Sequence, residues 1–173
     1  MNDIILVDLF DREVGHAEKI TVHRQRQLHR AFSVFIINDK GEMLLQKRVN
    51  EKYHSGGLWA NACCSHPTKG ESIDVAAARR IKDELGIEVK LHELFSFVYY
   101  HNFGELSEFE YDHVLIGEYS GGIYPNPNEI SELCWLKITE LQTIIIEEPD
   151  SFASWFLIAA PRVVRELEER VYN

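Results

Sequence analysis

The sequence predicts a single α/β domain over residues 1–173, an α+β sandwich in which helices cover a mixed β-sheet. Two observations favour this class. Apolar, β-rich segments recur along the chain with a few amphipathic helical segments between them, and no repeat, low-complexity tract or long linker interrupts the pattern. A chain of this length buries roughly 70% of its unfolded surface, so its core needs no disulfides.

The first half of the chain contains the strongest strand signals. We predict strands at 4–9, 31–38, 42–48 and 59–64, in IILVDL, AFSVFIIN, EMLLQKR and WANACC. Asp39-Lys40-Gly41 is a turn signal between the second and third of these, which therefore form a hairpin. A polar loop at 49–57 precedes the fourth strand.

The second half of the chain combines helices with strands. Gly70-Glu71-Ser72 opens a helix that runs to Leu85, and Gly86 ends it. The other predicted elements are β structure at 87–100 broken near 91–93, a strand at 108–119, an exposed turn at 121–128, a strand at 133–136, a helix at 138–146 and an amphipathic helix at 151–172 with a kink at Pro161.

Composition and charge exclude several classes of function. The net charge of −10 repels nucleic acid and anionic membranes, so a diphosphate substrate would need a local basic patch or a metal ion. No apolar run approaches the roughly 20 residues that span a bilayer, and the acidic first residues do not resemble a signal peptide. We therefore expect a cytoplasmic protein with a small-molecule substrate, and nothing in the sequence indicates an obligate protein partner.

Two adjacent cysteines in WANACCSHP are compatible with half of a zinc site, a disulfide or a reactive thiol. Neighbouring cysteines rarely meet disulfide geometry, and Cys134 offers no matching pair for a zinc knuckle. Alternate residues of a strand share a face, so Cys64 and His66 point one way and Cys63 the other. Cys63 is then a small core residue, whereas Cys64 is either equally inert or functional.

The same rule applied to EFEYD places Glu108 and Glu110 on one face of a strand. They are either solvated acids or ligands of a divalent cation. His23 and His29 are surface histidines if taken alone. Together with His66 and the two glutamates they form a His3Glu2 set, which suits a borderline transition-metal ion.

Several other charged or aromatic residues have both a structural and a functional interpretation. Arg80 and Glu84 stand four apart on the predicted helix, as an ion pair or as ligands of a phosphate and of Mg²⁺. Lys19, Arg48 and Lys52 are either solvated charges or further phosphate ligands. Trp155 either packs an amphipathic helix or faces a cation.

The segment SHPTKGESIDVAAARRIKDELGI (65–87) resembles a degraded Nudix box, G-x5-E-x7-R-E-U-x-E-E-x-G-U, where U is apolar. Glu71, Arg79 and Glu84 match the pattern, as do the closing Gly86 and Ile87. Ser65 replaces the first glycine, Asp83 replaces the first of the paired acids, and Arg80 replaces an acid. This change of sign weakens an assignment as a Nudix pyrophosphohydrolase.

These departures resemble those of the type I isopentenyl-diphosphate Δ-isomerases, which have a Nudix-like fold. The segments that carry the resemblance are TVHRQRQLHRAFS, GLWANACCSHPTKGES, ARRIKDELGI and EFEYD, and it extends from Glu18-Lys19 to Trp155. It implies isomerisation of isopentenyl diphosphate to dimethylallyl diphosphate. The competing hypotheses are a Nudix-type diphosphate hydrolase and a non-catalytic diphosphate-binding module.

The resemblance also implies a role for each matching residue. Cys64 is the catalytic thiol, Glu110 exchanges a proton with the substrate, Tyr99 is hydrogen-bonded near it, and Trp155 faces the hydrocarbon. The metal set is His23, His29, His66, Glu108 and Glu110, which would hold Mn²⁺, Zn²⁺ or Mg²⁺. Glu84 would bind a second ion, a Mg²⁺ that bridges the diphosphate, and the cations that hold the diphosphate are Lys19, Arg48, Lys52 and Arg80.

Two further expectations concern variable segments. Tyr100 lies beside Tyr99 and competes for the tyrosine role. Residues 19–29 are polar and irregular in composition, so we expect them to become ordered only when metal or substrate binds.

Overall fold

The computed structural model describes residues 3–171, so residues 1–2 and the predicted helix end at Tyr172 lie outside it. Nine strands within this range form one mixed sheet: β1 (Asp3–Val7), β2 (Glu13–Glu18), β3 (His29–Ile37), β4 (Glu42–Arg48), β5 (Trp59–Asn61), β6 (Cys63–Ser65), β7 (Leu91–Asn102), β8 (Ser107–Glu118) and β9 (Ile130–Lys137). The α-helices are α1 (Lys19–Gln25), α2 (Ile73–Leu85), α3 (Ile138–Glu147) and α4 (Ser154–Val171), and a 3-10 turn lies at Pro149–Ser151.

Strand β3 is the centre of the sheet. It runs parallel to β8 over nine residues, from His29 opposite Glu110 to Ile37 opposite Glu118, and antiparallel to β6 on its other side. The predicted β3–β4 hairpin is present, although the two strands pair only at Ile37 and Met43 before they diverge. This divergence opens one end of the sheet between β4, β6 and β8.

The sheet is covered on both faces, which confirms the predicted fold class. Side chains alternate along β3, so Phe35 belongs to one apolar cluster while Val34 and Ile36 belong to the other. Helices α3 and α4 supply Leu141 and Phe156 to the first cluster. The second is closed by α2, whose buried apolar residues are Ala76, Ala77, Ile81 and Leu85.

The chain between β1 and β3 differs from the sequence-based expectation. Strand β2 was not predicted, because as an edge strand it is largely exposed and has no apolar alternation. No regular element was predicted within residues 19–29, where Lys19–Gln25 form α1. The Glu18 carboxylate caps this helix by accepting hydrogen bonds from the backbone N–H groups of Ile20 and Thr21, at 3.0 and 2.8 Å.

Two boundaries also differ in the C-terminal half. The β structure predicted from residue 87 begins at Leu91, because Leu91 pairs with Gly117 near the end of β8 and residues 87–90 lie beyond this pairing. The break predicted near 91–93 corresponds to a register shift between Glu93 and Phe95 in the pairing of β7 with β8. The last helix begins at Ser154, not at 151, and contains Pro161.

None of the helices within residues 3–171 combines the length and the apolar character needed to cross a membrane.

Candidate active site

One cavity, at the end of the sheet where β3 and β4 diverge, gathers most of the predicted site residues. Its lining includes ten of them: Lys19, Arg48, Lys52, Cys64, His66, Arg80, Glu84, Glu108, Glu110 and Trp155. The other three, His23, His29 and Tyr99, are buried. The two histidines contact the His66 ring, and Tyr99 contacts Glu110. Segments that are far apart in sequence therefore meet at one place.

The two adjacent cysteines lie on opposite faces of the sheet, as the strand rule predicts. Cys63 is fully buried in the cluster under α2, whereas Cys64 packs against the other cluster and lines the cavity. Within residues 3–171 all three cysteines are free thiols. Burial raises the pKa of Cys64 well above its ordinary value, so the thiol keeps its proton at neutral pH.

Beside Cys64, four buried side chains form a cluster with the composition of a metal site. His23, His29, His66 and Glu110 each offer one ligand atom, and these atoms lie within 4.8 Å of one another. Helix α1 supplies His23, β3 begins with His29, and β8 supplies Glu110. Nε2 of His66 lies 2.8 Å from Oε1 of Glu110, and Nε2 of His29 lies 3.5 Å from the same oxygen.

Backbone carbonyls fix the orientation of two of these imidazoles. Nδ1 of His23 lies 2.7 Å from the Lys19 carbonyl and Nδ1 of His29 lies 2.8 Å from the Gln27 carbonyl. Since a carbonyl can only accept, each Nδ1 carries the proton and each Nε2 presents a lone pair to the cluster. Both Nε2 atoms are buried without a hydrogen-bond partner in the part of the chain that the structure describes.

The protonation states of His23, His66 and Glu110 are those that a divalent cation requires. Burial, and then the neighbouring His29, lowers the pKa of His23 to about 4, and burial lowers that of His66 to about 3. Burial alone would raise the pKa of Glu110, but the adjacent imidazoles of His29 and His66 lower it well below its ordinary value. The neutral imidazoles of His23 and His66, the ionised Glu110 carboxylate and the unpartnered buried nitrogens fit a metal ion.

Glu108, which was predicted as a fifth ligand, lies beside this four-residue cluster and has other contacts. Its Oε1 is 2.9 Å from Nε2 of His54, and its Oε2 is 2.7 Å from the Tyr99 hydroxyl. The same hydroxyl lies 2.9 Å from Oε2 of Glu110. Tyr99 therefore contacts both carboxylates, while Tyr100 is half exposed and packs on Phe109.

Four cations form a basic patch in a protein that is acidic as a whole. Lys19, Arg48, Lys52 and Arg80 line the cavity, and two of them contact Glu129, Lys52 through its ammonium and Arg80 at 3.7 Å. The ammonium of Lys19 lies over the Tyr53 ring, 5.1 Å from its centre. This patch supplies the local positive charge that an anionic ligand needs.

The acids of the Nudix-like box are not equivalent. Glu84 is buried, lines the cavity and contacts Arg80 at 2.5 Å. Burial raises its pKa despite the nearby Arg80. Glu71 accepts two 2.8 Å hydrogen bonds from Arg79, and Asp83 is exposed on the outer side of α2. Only Glu84 among these three faces the cavity.

Trp155 forms one wall of the cavity and is almost fully buried. Its indole nitrogen donates a 3.1 Å hydrogen bond to Oδ1 of Asn61, and the Arg48 guanidinium lies 5.3 Å from the ring centre. The ring is therefore held at its edge by Asn61 and carries a cation on its face.

Several residues of the site were not found from the sequence. They are Ser33, Gln46, Tyr53, His54, Asn61 and Glu129, and all but Asn61 line the cavity. Strand alternation would have placed Ser33 on the cavity face, had its pairing with Cys64 been known. The others depend on partners from distant segments and carry no local signal.

Comparison with protein-family models gives one match over most of the chain. Residues 27–156 match the NUDIX domain. The matched range includes the cysteine pair, the box and the EFEYD strand.

Curated relatives are similar over nearly the full length. The chain is 43% identical to "Isopentenyl-diphosphate Delta-isomerase" of Serratia proteamaculans, with 89% of this chain and 87% of the relative covered. It is 41% identical to "Isopentenyl-diphosphate Delta-isomerase 1" of Aromatoleum aromaticum, with 97% and 96% covered.

Solved structures support the fold alone, at lower identity. A Deinococcus radiodurans protein superposes with a TM-score of 0.78 at 21% identity, covering 92% of this chain and 98% of that one. The MutT protein of Methanosarcina mazei gives a TM-score of 0.66, also at 21% identity, over 80% of this chain and 94% of that one.

Proposed function

The chain belongs to the isopentenyl-diphosphate Δ-isomerase family, within the Nudix-domain proteins, and we propose that it converts isopentenyl diphosphate to dimethylallyl diphosphate. The observation that carries this proposal is the presence of the Cys64 thiol and the Glu110 carboxylate in one cavity, beside a basic patch. An allylic proton shift needs two positioned acid–base groups and an anchor for the diphosphate, and the cavity offers both.

The polar end of the cavity is the proposed diphosphate site. Lys19, Arg48, Lys52 and Arg80 would pair with phosphate oxygens, and the contacts that Lys52 and Arg80 make with Glu129 would be exchanged for contacts with substrate. Glu84 would hold a Mg²⁺ ion that is shared with the diphosphate, since Mg²⁺ is commonly bound by one or two carboxylates plus substrate phosphates.

The hydrocarbon end would lie between Cys64, Glu110 and the Trp155 ring. One of the two acid–base groups gives a proton to the terminal alkene carbon, and the other removes a proton from the allylic carbon on the far side of the double bond. The double bond moves by one position, no other bond changes, and the roles are reversed in the reverse reaction. Trp155 faces the cationic carbon that forms after proton addition and before proton removal. The Trp155 ring also closes one wall of the cavity and excludes water, which would react with this cation.

His23, His29, His66 and Glu110 would hold the second divalent ion, with Glu108 close beside them. The donor set of three imidazoles and one carboxylate suits Zn²⁺ or Mn²⁺ and also admits Mg²⁺. Such an ion would stabilise the ionised Glu110 carboxylate and the negative charge near Tyr99.

The structure favours neither competing hypothesis. A Nudix hydrolase would bind its metal through several acidic residues of the box. Here both carboxylate oxygens of Glu71 accept hydrogen bonds from Arg79, and Asp83 is exposed. A passive diphosphate-binding module would need the basic patch but no buried thiol opposite a carboxylate. The family relationship and the complete acid–base pair support the isomerase.

Proton NMR of isopentenyl diphosphate with the protein and Mg²⁺ in D₂O tests the proposal. We expect the terminal alkene signal to disappear, the dimethylallyl isomer to form with deuterium incorporated, and the phosphorus spectrum to keep an intact diphosphate. Parallel samples with Zn²⁺ or Mn²⁺ ensure that the second ion does not limit the reaction.

A pair of cysteine variants supplies the matched control. Cys64→Ala is expected to abolish isomerisation, while Cys63→Ala, on the opposite face of the sheet, keeps it within a few-fold of wild type. Isomerisation at the wild-type rate by Cys64→Ala, or release of inorganic phosphate by the wild type, would overturn the proposal.

A further inference from the structure

Asn61 is a fully buried amide that connects the two sides of the hydrocarbon end of the cavity. Its Oδ1 accepts a hydrogen bond from Sγ of Cys64 at 3.0 Å and another from the indole N–H of Trp155 at 3.1 Å. The thiol belongs to β6 and the indole to α4, and residues 64 and 155 are 91 positions apart in the chain. A single oxygen atom therefore holds both groups.

The partners of Asn61 fix the orientation of its amide. Nδ2 donates to the carbonyl of Val34 at 3.0 Å and to the carbonyl of Cys63 at 2.8 Å. These two carbonyls can only accept and an indole N–H can only donate, so a reversed amide would lose all of these bonds. With two donors and two acceptors satisfied, the group makes its full complement of hydrogen bonds and cannot turn.

We propose that Asn61 is a positioning residue of the isomerase, which holds the Cys64 thiol and the Trp155 ring at a fixed distance and angle across the hydrocarbon. This inference rests on the proposed function and extends it by one residue. Sγ of Cys64 has a second polar neighbour, the Ser33 hydroxyl, but at 3.6 Å this contact is longer. Asn61 therefore contributes most to the placement of the sulfur.

The reaction makes such a link useful. The Cys64 thiol must reach one carbon of the substrate while the face of the Trp155 ring lies against the adjacent cationic carbon. A displacement of either group therefore slows the same step of the reaction. A displacement of about 1 Å in a catalytic group can reduce the rate by about 100-fold. The diphosphate ligands lie on other residues, so substrate binding does not depend on Asn61.

Asn61→Leu tests the proposal, because leucine has the same branched shape and the same number of side-chain heavy atoms as asparagine but no polar atoms. We expect kcat for isopentenyl diphosphate to fall by about 100-fold or more while KM stays within about threefold. The ¹⁵N-indole resonance of Trp155, assigned with Trp155→Phe, should shift away from its hydrogen-bonded position. If the leucine variant does not fold, Asn61→Ser, which leaves room for water, carries the same expectations.

Val34→Ala is the matched control for stability. It removes fully buried apolar volume beside Asn61 and leaves the thiol and the indole untouched. We expect it to lower the melting temperature at least as much as the Asn61 variants and to keep kcat within about threefold of wild type. Loss of activity in Val34→Ala equal to that in Asn61→Leu would overturn the proposal, because any local destabilisation would then suffice.

A double-mutant cycle tests whether the shared oxygen couples the two groups. Trp155→Phe removes the N–H and keeps an aromatic wall, so Asn61→Leu should reduce kcat less in this background than in wild type. Provided that the wild-type protein is active, either of two results would overturn the inference. One is that Asn61→Leu and Trp155→Phe change kcat independently of each other, and the other is that both Asn61→Leu and Asn61→Ser keep the wild-type kcat. An inactive wild type would instead refute the proposed function itself.

Discussion

Tyr99 and Glu110 face each other directly across the β7–β8 hairpin, and the Tyr99 hydroxyl lies 2.9 Å from Oε2 of Glu110. The same hydroxyl lies 2.7 Å from Oε2 of Glu108, but it has one proton to donate. Burial raises the pKa of Tyr99 well above its ordinary value, so the phenol remains a donor. Its contact with Glu110 therefore stabilises the ionised carboxylate of that residue.

Tyr99→Phe removes this donor, and we expect kcat to fall by about 10- to 100-fold, because the Glu110 carboxylate loses a hydrogen bond that tunes it for the acid–base role that we propose. Steady-state kinetics on isopentenyl diphosphate measures the effect. Tyr100→Phe is the matched control, since Tyr100 is half exposed, and it should behave as wild type. A larger loss in Tyr100→Phe would show that the neighbouring tyrosine has the role.

The buried histidines make the stability of the metal-free protein pH-dependent. The pKa values of His23 and His66 are lowered from 6.5 to about 4 and about 3, chiefly by burial. The unfolded chain therefore binds protons at a higher pH than the folded protein does, and stability is lost as pH falls below about 6.5. Each histidine contributes at most about 1.4 kcal/mol per pH unit over this window.

Urea unfolding in the presence of EDTA, at several values between about pH 7 and about pH 5, measures this dependence. His23→Gln should flatten the curve, because the substituted side chain does not titrate. A free energy of unfolding that stays constant in the wild type over this range would contradict the assignment of neutral, buried imidazoles.

The sequence predicted the parts of the site that depend on local periodicity. Strand alternation separates Cys63 from Cys64 and pairs Glu108 with Glu110, and both predictions agree with the observed faces. Periodicity failed for β2 and α1, in which few side chains are buried, so little apolar pattern marks them. It also could not find Asn61, because the partners that give this amide its place come from β3, β6 and α4.

Glu129 is expected to compete with the substrate for the basic patch. Its carboxylate contacts both Lys52 and Arg80, and although burial opposes it, the hydrogen bond from Lys52 lowers its pKa. It is therefore ionised at neutral pH. Glu129→Gln removes this negative charge, so KM for isopentenyl diphosphate should fall by about 3- to 10-fold.

Glu132→Gln is the control for a general change in charge, because Glu132 pairs with Lys47 on the surface at 2.8 Å. This variant should leave KM unchanged. An increase of KM in Glu129→Gln would mean that Glu129 orients the two cations more than it competes for them.

The two glutamates of the Nudix-like box should have separable roles. Glu71 joins the middle of α2 to the loop that precedes the helix: it accepts two hydrogen bonds from Arg79 and one from the backbone N–H of Thr68 at 3.0 Å. Since Arg79 is partly exposed, Glu71→Gln should lower the free energy of unfolding by only about 1 kcal/mol and leave kcat within about threefold.

Glu84→Gln should show the opposite behaviour. Its carboxylate is buried at the cavity wall, where we propose that it binds Mg²⁺, so kcat/KM should fall by at least about 100-fold and half-maximal activity should need more Mg²⁺. Urea unfolding and Mg²⁺ titration of both variants give the comparison. If Glu71→Gln instead loses activity without losing stability, then the first acid of the box takes part in the chemistry, as in the hydrolase alternative, and the division of roles between the two acids is wrong.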